Sequence, residues 1–506
     1  MLHHLHQLTD LLRWLGGRGV RELVVDSRRV RAHAHQAFVA WPGAASDGRA
    51  YVQQALDAGA LACVVEAEGV QAHALDDARV VAVPDLKRRS AELAHAFYGQ
   101  PSAHLDVVAV TGTNGKTSTS WWTAQALDAL GQGCGVIGTL GVGRAGHPGV
   151  ESTGFTTPDP ITLQATFQRF VSQGLKAAAI EASSIGIEEL RLHATRIAVA
   201  QFTNFTQDHL DYHGSMQAYW RAKQALFEWP GLRAAVINLD DPQGEVLQSV
   251  LRVQGVPTWT YGCRPDVRLQ ACDVRQQAHG TTFTVVERDE TFKVMAQAEL
   301  RAPIIGLFNV SNLLAVLGAL RALGHSLADA VRACAGLKAV PGRMQIIGPA
   351  QAEQPMVVVD YAHTPDALDK ALRTLQPVAQ ARAGRLLCVL GCGGNRDASK
   401  RPLMARVAEQ GADVVMLTSD NPRHEAPQAI VDQMVAGLHT PQAAQVELDR
   451  RAAIVQAVRM ARPQDVVLVA GKGHETYQEV AGVRLPFSDA DEAMAALDAR
   501  LKGGAA

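Results

Sequence analysis

Residues 110–118 read Val-Thr-Gly-Thr-Asn-Gly-Lys-Thr-Ser, directly after the apolar run 107–110 and before a helix-like stretch from 118 to about 130. Strand, glycine turn and helix N-terminus in that order make a local α/β unit with a phosphate cradle at its bend. Backbone N–H groups and the helix dipole face an anion there; Lys116 reaches the β/γ-phosphates and the Thr117 hydroxyl can hold Mg²⁺. Gly112, Thr113, Asn114, Gly115 and Ser118 complete the cradle. The general phosphate-loop pattern asks for glycine where Val110 stands, so the run follows a narrower pattern, Thr-Gly-Thr-Asn-Gly-Lys-Thr. ATP is the expected ligand. The plainer alternative is a glycine turn with an exposed lysine.

A chain of 506 residues exceeds one core, and about 150 residues per domain gives three. Apolar residues are 47% and charged residues 19%, as in soluble globular proteins. A net charge of −2 supplies no global field for nucleic acid or an anionic membrane, so an anionic substrate must be held by local groups. The seven cysteines are scattered without a Cys-x-x-Cys pair, which points to reduced thiols rather than disulfides or zinc. No run approaches 18 apolar residues, and the N-terminus lacks a basic region followed by an apolar core. A cytoplasmic protein without membrane insertion or a nucleic-acid partner is expected.

Residues 1–100 carry strand-like pieces at 23–25, 37–40, 60–66 and 79–83 and a helix-like stretch at 51–58; Pro101-Ser102 reads as a linker. From 106 to about 340, apolar strands at 177–180, 197–202 and 234–238 alternate with amphipathic stretches, the pattern of a mainly parallel sheet covered by helices. Residues 265–300, with the run 281–286, read as an antiparallel excursion. Strands at 357–360, 386–390, 414–418 and 466–470 make a second doubly wound sheet. The expected fold class is α/β with three domains. These are a small α/β N-terminal domain over 1–100, a central ATPase-type parallel sheet over 101–340 and a C-terminal Rossmann-like domain over 341–506.

Open α/β sheets bind ligands at the carboxyl ends of their strands. Glu181 follows one such strand; Asn204 follows another and leads into Asp208-His209-Leu210-Asp211-Tyr212-His213. An acid and an imidazole on the phosphate-loop edge could complete the shell of a metal bridging ATP and substrate. Taken singly, Glu181 reads equally as a surface carboxylate and His209 as an ordinary histidine. On residue type alone Lys223 is an exposed helix lysine.

In order along the chain stand Thr-Gly-Thr-Asn-Gly-Lys-Thr (111–117), Glu-Ala-Ser-Ser (181–184), Asn-Phe-Thr-Gln-Asp-His-Leu-Asp-Tyr-His (204–213) and Gly-Leu-Phe-Asn-Val-Ser-Asn (306–312). Pro-Gly-Arg-Met (341–344) and Asp-Tyr-Ala-His-Thr-Pro-Asp-Ala-Leu (360–368) follow. Together they resemble the Mur ligases, and most of all the members that add the third residue of the cell-wall peptide. The resemblance runs from about 22 to 480. It implies three substrates: ATP, UDP-N-acetylmuramoyl-L-alanyl-D-glutamate (the UDP-N-acetylmuramoyl-dipeptide) and a diamino acid. It further implies Mg²⁺ held or oriented by Thr117, Glu181, His209 and a carbamylated Lys223 (N6-carboxylysine). Lys116, Glu181, His209 and Lys223 are then the catalytic set.

By the same resemblance Asn309 and Asn312 contact adenine, while Arg343 and Asp360 lie on the phosphate and ribose side. The nucleotide-sugar dipeptide falls to Val25, Ser27, the loop with Ala44, Ala45 and Ser46, Thr156, Thr157, Ser183, Glu189 and Arg191. The Asp420-Asn421-Pro422-Arg423 segment is that of members using meso-2,6-diaminopimelate. Arg423 can grip the distal carboxylate in a bidentate pair, a carboxylate that lysine lacks. Arg396 resembles a second clamp, and Gly471 and Glu475 receive the distal amino end. Three features depart from the family: Ile185 stands where histidine is common, Glu189 where glutamine occurs, and the segment 43–47 has few side-chain donors, so contacts there are expected from the backbone.

The expected reaction is ATP-dependent peptide-bond ligation through an acyl phosphate, by a monomer. The rivals are a lysine-adding relative, a folylpolyglutamate synthase-type ligase, and an ATPase that drives conformational change without ligation.

Overall fold

The computed structural model describes residues 2–43, 46–277, 280–348 and 353–503. The chain divides into two compact units, residues 1–269 with 314–333 and residues 270–313 with 334–506. Among the described residues no helix is long and apolar enough to cross a membrane, and all seven cysteines are unbridged.

The first unit opens with five parallel strands in the order His3–His4, Val80–Val83, Ala62–Glu66, Gln36–Ala40, Glu22–Val24. Their continuous apolar runs suit strands covered on both faces. Helices Leu8–Gly17 and Leu86–Phe97, which the periodicity reading passes over, pack Leu11, Leu15, Leu86 and Leu93 on one face. Val52–Asp57 packs on the other, and Tyr51, the first residue of the expected helix, instead ends the 3₁₀ turn Gly48–Tyr51. The segment read as a linker is the 3₁₀ turn Pro101–His104, where buried Ser102 Oγ accepts the Arg196 N–H at 3.0 Å.

The same unit holds a second sheet. Strands Thr258–Gly262, Ala234–Asn238, Val199–Phe202, Asp106–Thr111, Ala177–Glu181 and Cys134–Gly138 run parallel in that order, with antiparallel Gly141–Gly143 at the edge. Asp106–Thr111 sits where the strand order reverses, the point at which open α/β sheets bind ligands. Register aligns Val110 with Glu181 and Thr111 with Phe202. The loop after Thr111, the carboxylate of Glu181 and the turn at Thr203-Asn204 therefore emerge together. Fully buried Phe167, Phe170 and Phe202 fix the layers behind this edge; truncating such a phenylalanine to alanine costs about 3–5 kcal/mol.

In the second unit, Gly280–Arg288 pairs antiparallel with Val294–Ala302, the expected excursion. A six-stranded sheet runs in the order Gln345–Ile347, Met356–Asp360, Val466–Ala470, Leu386–Cys392, Val414–Ser419, Gln445–Val446. All pairs are parallel except the first. Two apolar layers cover its faces, one centred on Leu372, Leu390 and Met404, the other on Ile454, Val458 and Ala493. The short pairs at Gln345–Ile347 and at Tyr477–Val480 with Val483–Pro486 are additions to the sequence reading. Beneath the carboxyl edge, fully buried Arg450 pairs bidentately with Asp489 at 2.7 Å and donates to the Ala470 and Ser419 carbonyls. It thereby ties down the two strand ends that lead into Gly471 and Asp420.

Candidate active site

The turn after Asp106–Thr111 is held by its neighbour. Thr113 N–H donates to the Asn204 carbonyl and Asn114 N–H to Asn204 Oδ1, both at 2.9 Å. Thr203 Oγ1 and Asn204 Nδ2 return to the Asn114 carbonyl at 2.6 and 3.0 Å. Gly112 has φ 150°, and a β-carbon there would strike Thr203 Oγ1, so only glycine lets the loop lie this close. Gly115, at φ 86°, starts the helix Lys116–Ala129, and the side chains of its first turn, Thr117 and Ser118, are buried. Lys116 Nζ donates to the Gly112 and Thr113 carbonyls at 2.9 Å, arched over the loop.

Glu181 is buried rather than a surface carboxylate. Its Oε2 accepts the Thr117 hydroxyl at 3.0 Å and its Oε1 the Thr139 N–H at 2.8 Å. Thr139 is not singled out by the sequence; it opens the turn after Cys134–Gly138. A β-carbon at Gly138 would collide with Glu181 Oε1, so the acid's place depends on that glycine.

Lys223 corrects the reading by residue type: it is 1% exposed, not a solvent-facing helix lysine. Its Nζ donates to the Gly112 carbonyl at 2.7 Å and lies 4.4 Å from the Tyr219 ring. Burial first, and then the nearby Lys116 charge, push its pKa well below the ordinary lysine value, so the neutral amine is favoured. Tyr219 is also new: its hydroxyl lies 3.2 Å from Thr113 Oγ1. His209 is held at φ 51°, 3.5 Å from Asp208 and 6.0 Å from the Tyr219 ring. Desolvation lowers its pKa, and Lys116 and Lys223 add to the shift.

Among the described residues no cluster of three or more His, Cys, Asp or Glu is placed to ligate a metal. The buried Thr117 hydroxyl and Glu181 carboxylate form a hard oxygen pair. That donor set fits Mg²⁺, which takes few protein ligands and completes its shell with phosphate and water.

The residues assigned to the nucleotide sugar are spread over the first unit. Ser27 Oγ donates to Gln54 Oε1 at 3.0 Å, Val25 packs on the first sheet's core, and Ser46 is exposed. Ala44 and Ala45 lie outside the described residues. Thr156 Oγ1 is 3.0 Å from Thr139 Oγ1. Thr157 Oγ1 donates to the Glu181 carbonyl at 2.7 Å and lies 3.0 Å from Ser183 Oγ, which caps the helix Ser184–Glu188. Arg191 Nη1 donates to the Thr157 carbonyl at 2.9 Å. Glu189 is ion-paired with Lys87 Nζ at 2.6 Å and accepts the Tyr212 hydroxyl at 3.2 Å. The Lys87 hydrogen bond is the main cause of its lowered pKa. With isoleucine at 185, the buried imidazole beside the paired serines is that of His213, whose Nε2 lies 2.9 Å from Ser184 Oγ.

In the second unit Asn309 and Asn312 are buried near the start of Leu307–Ala322. Asn309 Nδ2 donates to the Ile305 carbonyl at 2.8 Å, and Asn312 Nδ2 to Asn309 Oδ1 at 2.9 Å. Arg343 stacks on Tyr361 at 4.5 Å. Asp360 accepts the Met344 N–H at 2.7 Å, and burial raises its pKa. Tyr361 also neighbours His474, held down to about 4 by burial and the Arg343 charge.

Asp420, Asn421, Gly471 and Glu475 converge at the carboxyl edge of the second unit's sheet. Asn421 Nδ2 donates to Glu475 Oε2 at 2.7 Å, and Gly471 lies so close to Asp420 that a β-carbon would come within 2.9 Å of Oδ2. Arg423, at φ 53°, donates through Nη1 to the Gly394 carbonyl at 2.8 Å. The Pro422 carbonyl accepts the Glu425 N–H at 3.0 Å, and Arg396 is exposed. The sequence reading passed over Lys472, buried in the midst of this group; its signal was the Gly-Lys-Gly run directly after an apolar strand.

Residues 110–320 match the family description "Mur ligase middle domain", and residues 342–473 match "Mur ligase, glutamate ligase domain". A protein of Acidovorax sp. (strain JS42) named UDP-N-acetylmuramoyl-L-alanyl-D-glutamate--2,6-diaminopimelate ligase is 52% identical, covering 100% of this chain and 99% of its own. One of the same name from Janthinobacterium sp. (strain Marseille) is 47% identical, covering 98% of each. A solved structure named for that ligase is 37% identical with a TM-score of 0.66, covering 95% of each chain. Identity at this level over the whole chain, with the loop, the buried acid and the Asp-Asn-Pro-Arg segment each at a strand's carboxyl end, makes this chain a member of the Mur ligase family.

Proposed function

We propose that the chain joins meso-2,6-diaminopimelate to UDP-N-acetylmuramoyl-L-alanyl-D-glutamate at the expense of ATP, in the synthesis of the peptidoglycan precursor. The observation that carries this reading is the assembly of Lys116, Thr117, Glu181 and buried Lys223 around one glycine turn at a sheet switch point. The choice of diaminopimelate rests on Arg423 and on the names of relatives at 47–52% identity.

The γ-carboxylate of the D-glutamyl end attacks the γ-phosphate of ATP, giving an acyl phosphate and ADP. The diamino acid's amine then attacks the acyl carbon and phosphate leaves. Lys116 swings from its loop carbonyls to the triphosphate, where its charge offsets the repulsion between carboxylate and phosphate. Thr117, Glu181 and a carbamate on Lys223 would hold Mg²⁺, with His209 orienting the shell, and the ion would supply further charge neutralisation. A buried neutral amine adds to CO₂ and releases one proton, and the resulting carbamate is an anionic oxygen donor like a carboxylate. Asn309 and Asn312 take adenine, and Arg343 and Asp360 the phosphate and ribose side. Val25, Ser27, the loop through Ser46, Thr156, Thr157, Ser183, Glu189 and Arg191 take the nucleotide sugar. Arg396 and Arg423 hold the distal carboxylate, while Gly471 and Glu475 receive the distal ammonium. Residues 1–100, 101–340 and 341–506 divide these tasks, in a cytoplasmic monomer.

Phosphate release, measured with the nucleotide-sugar dipeptide and with diaminopimelate or lysine added separately, tests the proposal. Release that requires both the dipeptide and diaminopimelate is expected. Release independent of any amino acid identifies an ATPase, and a preference for lysine overturns the choice of diamino acid.

A further inference from the structure

We infer that Lys472 is the positioning residue of the amino-acid pocket, the buried counter-ion that fixes Asp420, Asn421 and Glu475 in the geometry that receives a ligand ammonium. The inference rests on the reading above and adds to it a residue and a charge rule.

Lys472 directly follows Gly471, past the end of the strand Val466–Ala470, and its side chain is fully shielded from solvent. Its Nζ donates to Asn421 Oδ1 at 3.0 Å and to Glu475 Oε2 at 3.1 Å, lies 3.6 Å from Asp420 Oδ1, and faces the Tyr477 ring at 5.6 Å. Asn421 closes the circuit by donating Nδ2 to the same Glu475 oxygen at 2.7 Å, and its Oδ1 also accepts the Glu479 N–H at 2.9 Å. Lys472 and the Glu479 N–H together orient the Asn421 amide: with Oδ1 turned to both donors, Nδ2 faces Glu475. Without the ammonium Oδ1 keeps only the neutral backbone donor, and one oxygen of Glu475 loses its charged donor.

Charge counting explains why a buried lysine belongs in a pocket for amines. Asp420 and Glu475 contribute two negative charges and Lys472 one positive charge, leaving one negative charge to be met by a single ammonium. Two uncompensated carboxylates around one site would repel each other, and the Lys472 ammonium offsets that repulsion. Arg423, held to the Gly394 carbonyl at 2.8 Å and 3.9 Å from the Glu479 carboxylate, is the cation left for the ligand's carboxylate. The pocket thus sets a net negative locus beside an arginine fork, complementary to an amino-acid zwitterion.

The test is Lys472→Met in the full-length protein, with kcat and KM measured separately for diaminopimelate, ATP and the nucleotide-sugar dipeptide. The KM for diaminopimelate should rise roughly 10- to 100-fold, in line with the loss of a buried charged hydrogen-bond donor, while kcat at saturation and the other two KM values change less than about threefold. Lys472→Arg keeps the charge but replaces a compact donor by a planar fork, and its KM should fall between the two. Equal loss in all parameters, with a lowered melting temperature, overturns the inference in favour of a purely structural lysine; so does an unchanged KM for diaminopimelate. Wild-type protein without diaminopimelate-dependent turnover would instead defeat the functional reading, so the two failures are distinct.

Discussion

Two lysines are buried among the described residues, Lys223 in the first unit and Lys472 in the second, and their surroundings are opposite. Lys472 has two carboxylates within 3.6 Å. Lys223 has a backbone carbonyl, an aromatic ring and, as nearby charges, the like-charged Lys116 and, more weakly, Asp208. Burial alone does not set what a lysine does. In contact with carboxylates it is a fixed cation that orders its neighbours; in contact with a dipole and a ring, and beside a like charge, it is driven toward the neutral amine. The proposed carbamate at Lys223 draws on that second setting, the proposed positioning role of Lys472 on the first.

That contrast can be broken in several ways, beginning with the largest expected effect. Lys223→Ala should lower turnover about 10²–10³-fold, the scale of losing a preorganised electrostatic contributor. Bicarbonate with a short carboxylic acid should restore part of it, whereas the same additives should leave Lys472→Met unchanged. A Lys223→Ala enzyme that no added carboxylate rescues would remove the carbamate from the account. Lys116→Ala should cost a similar factor in phosphate release without chemical rescue, since it removes a charge that no carboxylate supplies; near-normal turnover would end its assignment.

Arg423→Lys sharpens the second site. Replacing a bidentate fork by a point charge should raise the KM for diaminopimelate about 10- to 30-fold and narrow its lead over lysine. A variant that keeps full discrimination would move the clamp to Arg396.

A pH titration of stability addresses Lys223 directly. Its pKa lies well below the usual 10.5 in the folded protein, so between the two values the unfolded chain binds more protons than the folded one. Stability in CO₂-free buffer should therefore rise with pH across that window, by up to about 1.4 kcal/mol per pH unit. Denaturant unfolding of Lys223→Met should lose the slope, whereas a slope retained in full would assign it to other groups. The smallest effect belongs to Glu189→Gln. It removes a partly exposed pair with Lys87, which contributes at most about 1 kcal/mol, and should shift the KM for the nucleotide-sugar dipeptide less than about fivefold. Glutamine keeps an oxygen and gains a donor for the nucleotide sugar, so a larger shift would show that the contact at 189 needs the charge.

Much of this was legible in the chain. Strand ends could be located because parallel strands buried on both faces read as unbroken apolar runs, and that placed Glu181, Asn204, Asp360 and Asp420 on their edges before any coordinates. Lys223 and Lys472 were not legible as buried residues, because lysine's type argues for solvent and only long-range packing overrules it. The Lys87–Glu189 pair joins residues about a hundred positions apart, and periodicity carries no such information. Helices Leu8–Gly17 and Leu86–Phe97 lie beside strong strand signals that drew the reading away from them. Ile185 was noticed as a missing imidazole, but that His213 would stand beside Ser184 depended on a turn 29 residues further on.

Gly138 couples the sheet to the acid behind the phosphate loop. It ends an interior strand with an unexceptional backbone, so a methyl group there asks nothing unusual of the chain; the methyl would land on the end of the Glu181 side chain and turn it aside. Stability and catalysis are thereby tied to one atom: Gly138→Ala strips the hydrogen bonds of a buried carboxylate, a loss of about 1–3 kcal/mol, and moves the acid from the phosphate loop. A mutational screen scored by phosphate release should therefore place it much lower than one scored by thermal stability.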